Sequence, residues 1–275
     1  MIYIIKNKYL TVSINSDGGS LTSIEYLGEE RLWQGGEAWN SQDVVIFPIV
    51  GHAGEYTVDG KKYTPKSHGV ARYSEFALSD IGVDNITLVL NSNAVTRQTY
   101  PYEFDLLVSY ALKKNTIKIT YMVRGKNGEI PFYVGGHAGM KAPGGSAVVE
   151  FENEENPVHY PLDGSQGTKI EGMKRFVADK EFFKECKTFQ LGELSGGAIS
   201  VHVNDGYKYI YKSDCPVFAF WSNENEGDYI CVEPWWGIND YEGSPRELKD
   251  KPFINFADEN GKSFSYSLTI EKDKT

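Results

Sequence analysis

Apolar and polar residues alternate along several stretches of this 275-residue sequence. One side of 104–112 and one side of 117–123 are apolar, and Asn115 lies between the two stretches. Successive side chains of a β-strand point to opposite faces, so this period of two predicts a hairpin with one buried side. The same alternation recurs near both ends of the chain, in 3–14 and in 264–270. Such a pattern favours folds built from half-buried antiparallel strands.

Turn signals separate these stretches, for example the Asp-Gly and Asn-Gly pairs at 59–60 and 127–128. Helical periodicity is confined to 178–189, which predicts one short helix, and the acidic run 151–157 predicts a solvated loop. Many short strands with glycine-marked turns indicate a sandwich or a barrel. Because no Pro- or Ser-rich linker and no repeat interrupts the pattern, we expect one all-β domain over 1–275.

Charge and cysteine content restrict the partners of this chain. It has 28 Lys and Arg against 38 Asp and Glu, and a net charge of −10 disfavours nucleic acids and anionic membrane surfaces. No apolar run reaches the roughly 20 residues of a membrane span, and no signal-peptide pattern is seen. Cys186, Cys215 and Cys231 show neither CxxC nor zinc-site spacing. We therefore expect free thiols and a cytoplasmic protein.

Titratable residues interrupt the apolar strand pattern in three places. His52 and His68 flank a small predicted hairpin, and glycines surround His137 closely enough to let a ligand approach. Glu233 lies between the apolar run 229–232 and the sequence Pro-Trp-Trp. Apolar surroundings raise the pKa of a carboxyl group, which suits a general base. Trp235 and Trp236 offer flat apolar surfaces on which a sugar ring could stack.

Each of these residues also has a purely structural interpretation. Taken alone, His137 fits a hydrogen-bonded structural histidine, His52 a surface turn residue, and Glu233 an ion-paired strand residue. The histidines and Glu233 could also bind a metal ion. The HxH and HExxH patterns that usually place close ligand pairs are absent, so the sequence predicts no metal site.

Six segments, taken together and in order, resemble the aldose 1-epimerase (galactose mutarotase) superfamily, most closely its shorter bacterial LacX-type branch. No single segment is decisive, but together they extend over nearly the whole chain. They are DGGSLTSIEYLGEERLWQG (17–35), IFPIVG (46–51), YTVDGKKYTPKSHGVAR (56–72), YPYEFDLLVSYAL (100–112), PFYVGGHAG (131–139) and YICVEPWWGIND (229–240).

The resemblance implies a large antiparallel β-sandwich, the mutarotase-like supersandwich, with a sugar site on a concave sheet face. It also implies interconversion of the α and β anomers of a free hexose without any cofactor. Residue by residue, it makes Glu233 the general base and His137 the general acid. His68 would help to hold the sugar, and Arg72 would lie at the site without an assigned role.

The sequence departs from the family pattern at two points. His52 stands where relatives commonly carry a sugar-binding arginine, and we expect it to act as a substitute donor. Ala138, Gly139 and Met140 replace the usual proline and aromatic residue after the catalytic histidine. The leading hypothesis is an aldose 1-epimerase, as a monomer or a homodimer. The alternatives are a sugar-binding or sensing protein on the same fold, and a hexose-6-phosphate 1-epimerase.

Overall fold

The computed structural model describes residues 1–51, 54–163, 165, 167–223, 227–241 and 243–273. Its elements are short and almost all extended. In the first half of the chain the strands are β1 (Ile2–Lys6), β2 (Leu10–Asn15), β3 (Ser20–Tyr26), β4 (Glu29–Glu30), β5 (Val45–Ile46), β6 (Tyr56–Val58), β7 (Lys61–Tyr63), β8 (Ala77–Ile81), β9 (Asn85–Asn91), β10 (Phe104–Lys113), β11 (Thr116–Gly125), β12 (Ile130–Phe132) and β13 (Val134–Gly136).

The second half is also dominated by strands. They are β14 (Gly139–Lys141), β15 (Ala147–Glu155), β16 (Val158–His159), β17 (Thr168–Lys169), β18 (Met173–Ala178), β19 (Thr188–Gly192), β20 (Ala198–Val203), β21 (Tyr207–Ser213), β22 (Val217–Trp221), β23 (Tyr229–Trp236), β24 (Asn255–Ala257) and β25 (Lys262–Lys272). The helix α1 covers Lys180–Cys186, and short 3₁₀ turns lie at Ala71–Tyr73, Thr96–Gln98, Pro143–Gly145 and Leu248–Asp250.

Two large antiparallel sheets form a sandwich, as the alternation predicts. Nine strands follow the order β18-β15-β20-β21-β25-β11-β10-β9-β8. The facing sheet follows the order β17-β16-β19-β22-β23-β13-β5, with β14 paired to β23. A four-stranded sheet, β1-β2-β3-β4, and the pairs β6-β7 and β12-β24 complete the fold.

The predicted apolar faces form the core between the two large sheets. In the hairpin β10–β11, Leu106 and Val108 are paired with Val123 and Tyr121, and all four side chains are buried. The Trp236 ring of β23 contacts Tyr121 across the sandwich. Burial of these alternating side chains, at about 25 cal/mol per Å² of apolar surface, is the main contribution that holds the sheets together.

The predicted helix is present, but the predicted acidic loop is wrong. The side chain of Asp179 accepts a hydrogen bond from the Phe182 amide at 2.9 Å and so caps the N-terminus of α1. The acidic run instead continues β15, between β18 and β20. Its middle carboxylates point to solvent at a register irregularity, while buried Glu155 accepts hydrogen bonds from Ser195. Among the described residues, no helix is long and apolar enough to cross a membrane.

Candidate active site

The strand β23 separates the sandwich core from a cleft on its other side. Val232 and Trp236 belong to the main core, whereas Trp235 packs in a smaller apolar cluster with Val217 and Ala219 of β22. Because side chains alternate along a strand, Glu233 lies on the same face as Trp235. Every residue of β23 is buried, so the hydrophobic pattern alone could not distinguish these two faces.

His137 lies beside Glu233, on the chain segment that pairs with β23. It occupies the two-residue break between β13 and β14, and both strands pair with β23 in one register. Gly135 is paired with Trp235 and Gly139 with Cys231. His137 lies midway between the two glycines, so the same register places it beside Glu233. His137 Nε2 and Glu233 Oε2 lie 3.4 Å apart.

Burial controls the charge of this pair. His137 is 7% exposed and Glu233 is 1% exposed. Desolvation, helped by the nearby positive charge of Arg72, lowers the pKa of His137 to about 3. Desolvation, with a smaller contribution from Asp43, raises the pKa of Glu233 well above its usual value. The Trp235 indole lies beside the carboxylate and partly offsets this rise, without full hydrogen-bond geometry.

These opposite shifts leave one proton on the pair over a wide pH range, and that proton rests on the Glu233 carboxyl group. His137 is then a neutral imidazole with a vacant acceptor. The arrangement can therefore donate one proton and accept another at adjacent positions, which is what acid–base catalysis at neighbouring atoms requires.

His68 approaches His137 through a strained turn. His68 has φ 61° and Gly69 has φ 80°, both in the left-handed region. Its Nδ1 accepts a hydrogen bond from the Gly51 amide at 3.2 Å, so the Nε2 atom carries the proton of the neutral ring. The two imidazole rings lie edge to face with their centres 5.1 Å apart. The turn thus places His68 in the lining of the cleft that His137 also lines.

The cleft in front of these side chains has a volume of about 420 Å³. Trp39 stacks on His137 with ring centres 5.1 Å apart, and Trp221 meets the same imidazole edge to face at 5.5 Å. The described lining residues combine flat aromatic surfaces with hydroxyl, amide and charged groups: Trp39, Asn40, Gly51, Ser67, His68, Arg72, His137, Leu162, Thr188, Trp221, Glu233, Trp235 and Asn239.

Several of these lining residues were not predicted. Trp39, Asn40, Thr188, Trp221 and Asn239 come from separate loops and strand ends. The one available signal was Trp39, a large aromatic residue within the polar run 37–43. The others look like ordinary loop or strand residues until the chain folds.

The expected site residues divide into three groups. His68, Arg72, His137, Glu233 and Trp235 meet in one cleft. Trp236 does not line it, because the alternation turns its ring into the core against Phe264, 5.3 Å between ring centres. The sequence-based assignment of Trp236 to the sugar site therefore does not fit its position. His52 lies outside the described residues.

Comparisons with known proteins show the family of this chain. The family described as aldose 1-epimerase matches residues 1–243. The chain belongs to the aldose 1-epimerase family. It is 29% identical to the chromosomal protein LacX of Lactococcus lactis over 284 aligned positions, which cover 91% of this chain and 92% of LacX.

Solved structures of similar proteins have the same fold. A galactose mutarotase related enzyme from Lactobacillus acidophilus superposes with a TM-score of 0.92 at 26% identity, covering 100% of this chain and 99% of its own. A galactose mutarotase-like protein from Lactobacillus casei gives a TM-score of 0.90 at 22% identity, with coverage of 98% and 100%. At that identity the second likeness concerns the fold alone.

Proposed function

We propose that this member of the aldose 1-epimerase family interconverts the α and β anomers of a free hexose. The observation that carries the proposal is the His137–Glu233 pair, 3.4 Å apart in an aromatic-lined cleft. The anomeric hydroxyl and the ring oxygen of a pyranose are bonded to the same carbon. A donor and an acceptor side by side can therefore reach both oxygens at once.

The mechanism follows from hemiacetal chemistry. One group removes the proton of the C1 hydroxyl while the other protonates the ring oxygen, and the C1–O5 bond breaks to give the open-chain aldehyde. Rotation about C1–C2 exposes the other face of the carbonyl group. Ring closure with both proton transfers reversed yields the other anomer, so the pair ends with the same proton count. We assign Glu233 to the C1 hydroxyl and His137 to the ring oxygen.

This assignment requires a proton shift when the sugar binds. In the empty cleft the proton rests on Glu233, whereas a general base must be ionised. Sugar hydroxyl groups that donate to the carboxylate would stabilise its charge, and the proton would then pass to His137. We propose that His68 and Arg72 hold other hydroxyl groups, and that Trp235 supports the apolar face of the ring.

A Glu233→Gln variant tests the function. The amide cannot take a proton, so we expect turnover to fall by about 10²–10⁴-fold while sugar binding persists. Polarimetry of freshly dissolved α-D-glucose and α-D-galactose measures the rate, and calorimetry measures binding. Glu129→Gln makes the same chemical change at an exposed position and should behave as wild type. Unchanged turnover in Glu233→Gln would overturn this mechanism.

One observation favours a second candidate, a sugar-binding or sensing protein. The resting charge states of Glu233 and His137 are the reverse of those that the assigned roles need. A protein that retained these states with sugar bound would bind without catalysis. Saturable sugar binding by wild type with no acceleration of mutarotation would establish this alternative.

A hexose-6-phosphate substrate has less support. Of the described residues that line the cleft, Arg72 is the only lysine or arginine. A phosphate group is usually held by several cationic or amide donors. We therefore expect faster turnover of glucose than of its 6-phosphate. A neutral sugar as ligand, a cytoplasmic location and a monomeric or homodimeric state complete the proposal.

A further inference from the structure

A buried carboxylate lies beneath the strand break that carries His137. Asp43 is 7% exposed and lies just before β5, separated from it by Val44. Strand β5 pairs Val45 with Gly136, and the Gly139 amide donates to the Gln42 carbonyl at 2.9 Å. The segment 42–46 thus runs alongside 135–139, and Asp43 lies next to the break.

The carboxylate of Asp43 connects three segments of the chain. Its Oδ2 accepts a hydrogen bond from the Leu21 amide of β3 at 2.9 Å. The backbone amides of Val44 and His137 also interact favourably with the charged carboxylate. A break between strands leaves an amide without a regular ladder partner, and such a buried group needs another acceptor. Asp43 lies where it can serve as that acceptor for His137.

The side of the sheet on which Asp43 lies is polar, although it faces the core. Gly136 has no side chain, and a Cβ atom there would meet the hydroxyl groups of Tyr121 and Tyr266. The negative charge of Asp43 helps to raise the pKa of these two hydroxyl groups and of those of Tyr110 and Tyr211. On its outer side Asp43 shares a 160 Å³ polar cavity with Asp17 and Arg72. The sandwich therefore keeps one ionisable group directly under its candidate catalytic pair.

We propose that Asp43 is a positioning residue, which holds the main chain of His137 from beneath and places a negative charge under the His137–Glu233 pair. The effect of Asp43 on catalysis rests on the proposed function, whereas its contact with the main chain of His137 does not. Removing the charge should lower the affinity of the pair for its single proton. Among the described residues, the titratable and charged groups near this pair are Arg72, His68, Asp43, Cys231 and Tyr229.

An Asp43→Asn variant tests the inference. Its side-chain oxygen can still accept from Leu21, but it carries no charge and presents an N–H₂ group to other amides. We expect kcat to fall by about 10-fold or more with KM within about threefold. The upper pH limit of kcat/KM should move to lower pH, since a negative neighbour is lost. Hydrogen exchange at the His137 amide should become faster.

Asp17→Asn is the matched control. It removes a carboxylate from the same cavity, but Asp17 is exposed. We expect its kcat, pH profile and His137 amide exchange to match wild type. A purely structural role for Asp43 would lower stability and leave the pH profile unmoved.

Wild-type protein provides a test that does not depend on a folded variant. Desolvation raises the pKa of Asp43 to about 6, so the His137 amide proton resonance should titrate with a midpoint near that pH. A flat titration, or Asp43→Asn with wild-type kcat and amide exchange, would overturn the inference. If wild type shows the titration but no mutarotation, the proposed function fails and the contact between Asp43 and His137 stands.

Discussion

At the scale of single residues, the environment decides what His137 and Glu233 can do. An exposed histidine and glutamate would form a weak ion pair, which carries both charges between the ordinary pKa of glutamate, about 4.3, and that of histidine, about 6.5. In this cleft both charges are desolvated, so the pair is most stable with both groups neutral. The proton can therefore move from Glu233 to His137 only when a polar ligand supplies hydrogen bonds that stabilise the two charges.

The shifts predict an unusual pH profile. The lowered pKa of His137 means that the pair takes up a second proton only near pH 3. The raised pKa of Glu233 means that its single proton is kept to higher pH than an ordinary carboxyl group would keep it. Asp43→Asn removes the nearby carboxyl group that itself titrates near pH 6, so in that variant kcat/KM for mutarotation should show no step with a midpoint near 6.5. A step near 6.5 in Asp43→Asn would indicate an ordinary, solvated histidine.

At the scale of elements, the turn at 68–69 shows how local geometry serves the site. Both residues have positive φ, and the amide of Phe47, directly after β5, donates to the His68 carbonyl at 3.2 Å. A Cβ at Gly69 would press against the carbonyl group of Phe47. The close approach of two backbones, and not only the turn, requires glycine here.

Gly69→Ala should therefore destabilise the protein strongly. Gly60 has a similar φ of 75° in the hairpin β6–β7, but a Cβ there would meet nothing within 4 Å. Gly60→Ala should cost about 1 kcal/mol through backbone strain alone. We expect Gly69→Ala to cost at least about 2 kcal/mol more, measured by urea unfolding. Equal costs would show that the approach of Phe47 relaxes easily.

The alternation of β23 predicts different roles for two adjacent tryptophans. Both Trp235 and Trp236 are buried, so replacing either with phenylalanine should lower the free energy of unfolding by about 1–3 kcal/mol. Only Trp235 lines the cleft. Trp235→Phe should therefore raise the sugar KM several-fold, whereas Trp236→Phe should leave it unchanged. A change in KM for Trp236→Phe would place its ring at the site after all.

At the scale of the whole molecule, one apolar cluster joins the sheets. It contains residues of the first four-stranded sheet, such as Ile14, with Val108 of the nine-stranded sheet and Val232 of the facing sheet. The cleft residues come from β19, β22 and β23 of the facing sheet and from segments outside the strands. The shape of the site therefore depends on how distant parts of the chain pack together.

This shared core predicts cooperative unfolding of 1–275 as a single domain. Urea transitions followed by tryptophan fluorescence and by far-UV circular dichroism should coincide, because no sheet can keep its buried face without the others. Bound sugar should shift both transitions together. Two separated transitions would contradict the single-domain prediction.

The sequence by itself determined the strand pattern and pointed to the titratable residues at the centre of the candidate site. Period-two alternation requires a sheet with one buried face, and the segments around His68, His137 and Glu233 are distinctive enough to indicate a family resemblance. It could not distinguish Trp235 from Trp236, because a strand that is buried on both faces shows no alternation. It also missed Asp43 and Trp39. Their importance depends on contacts with residues far away in the chain, and only the packing of the sheets brings those contacts together.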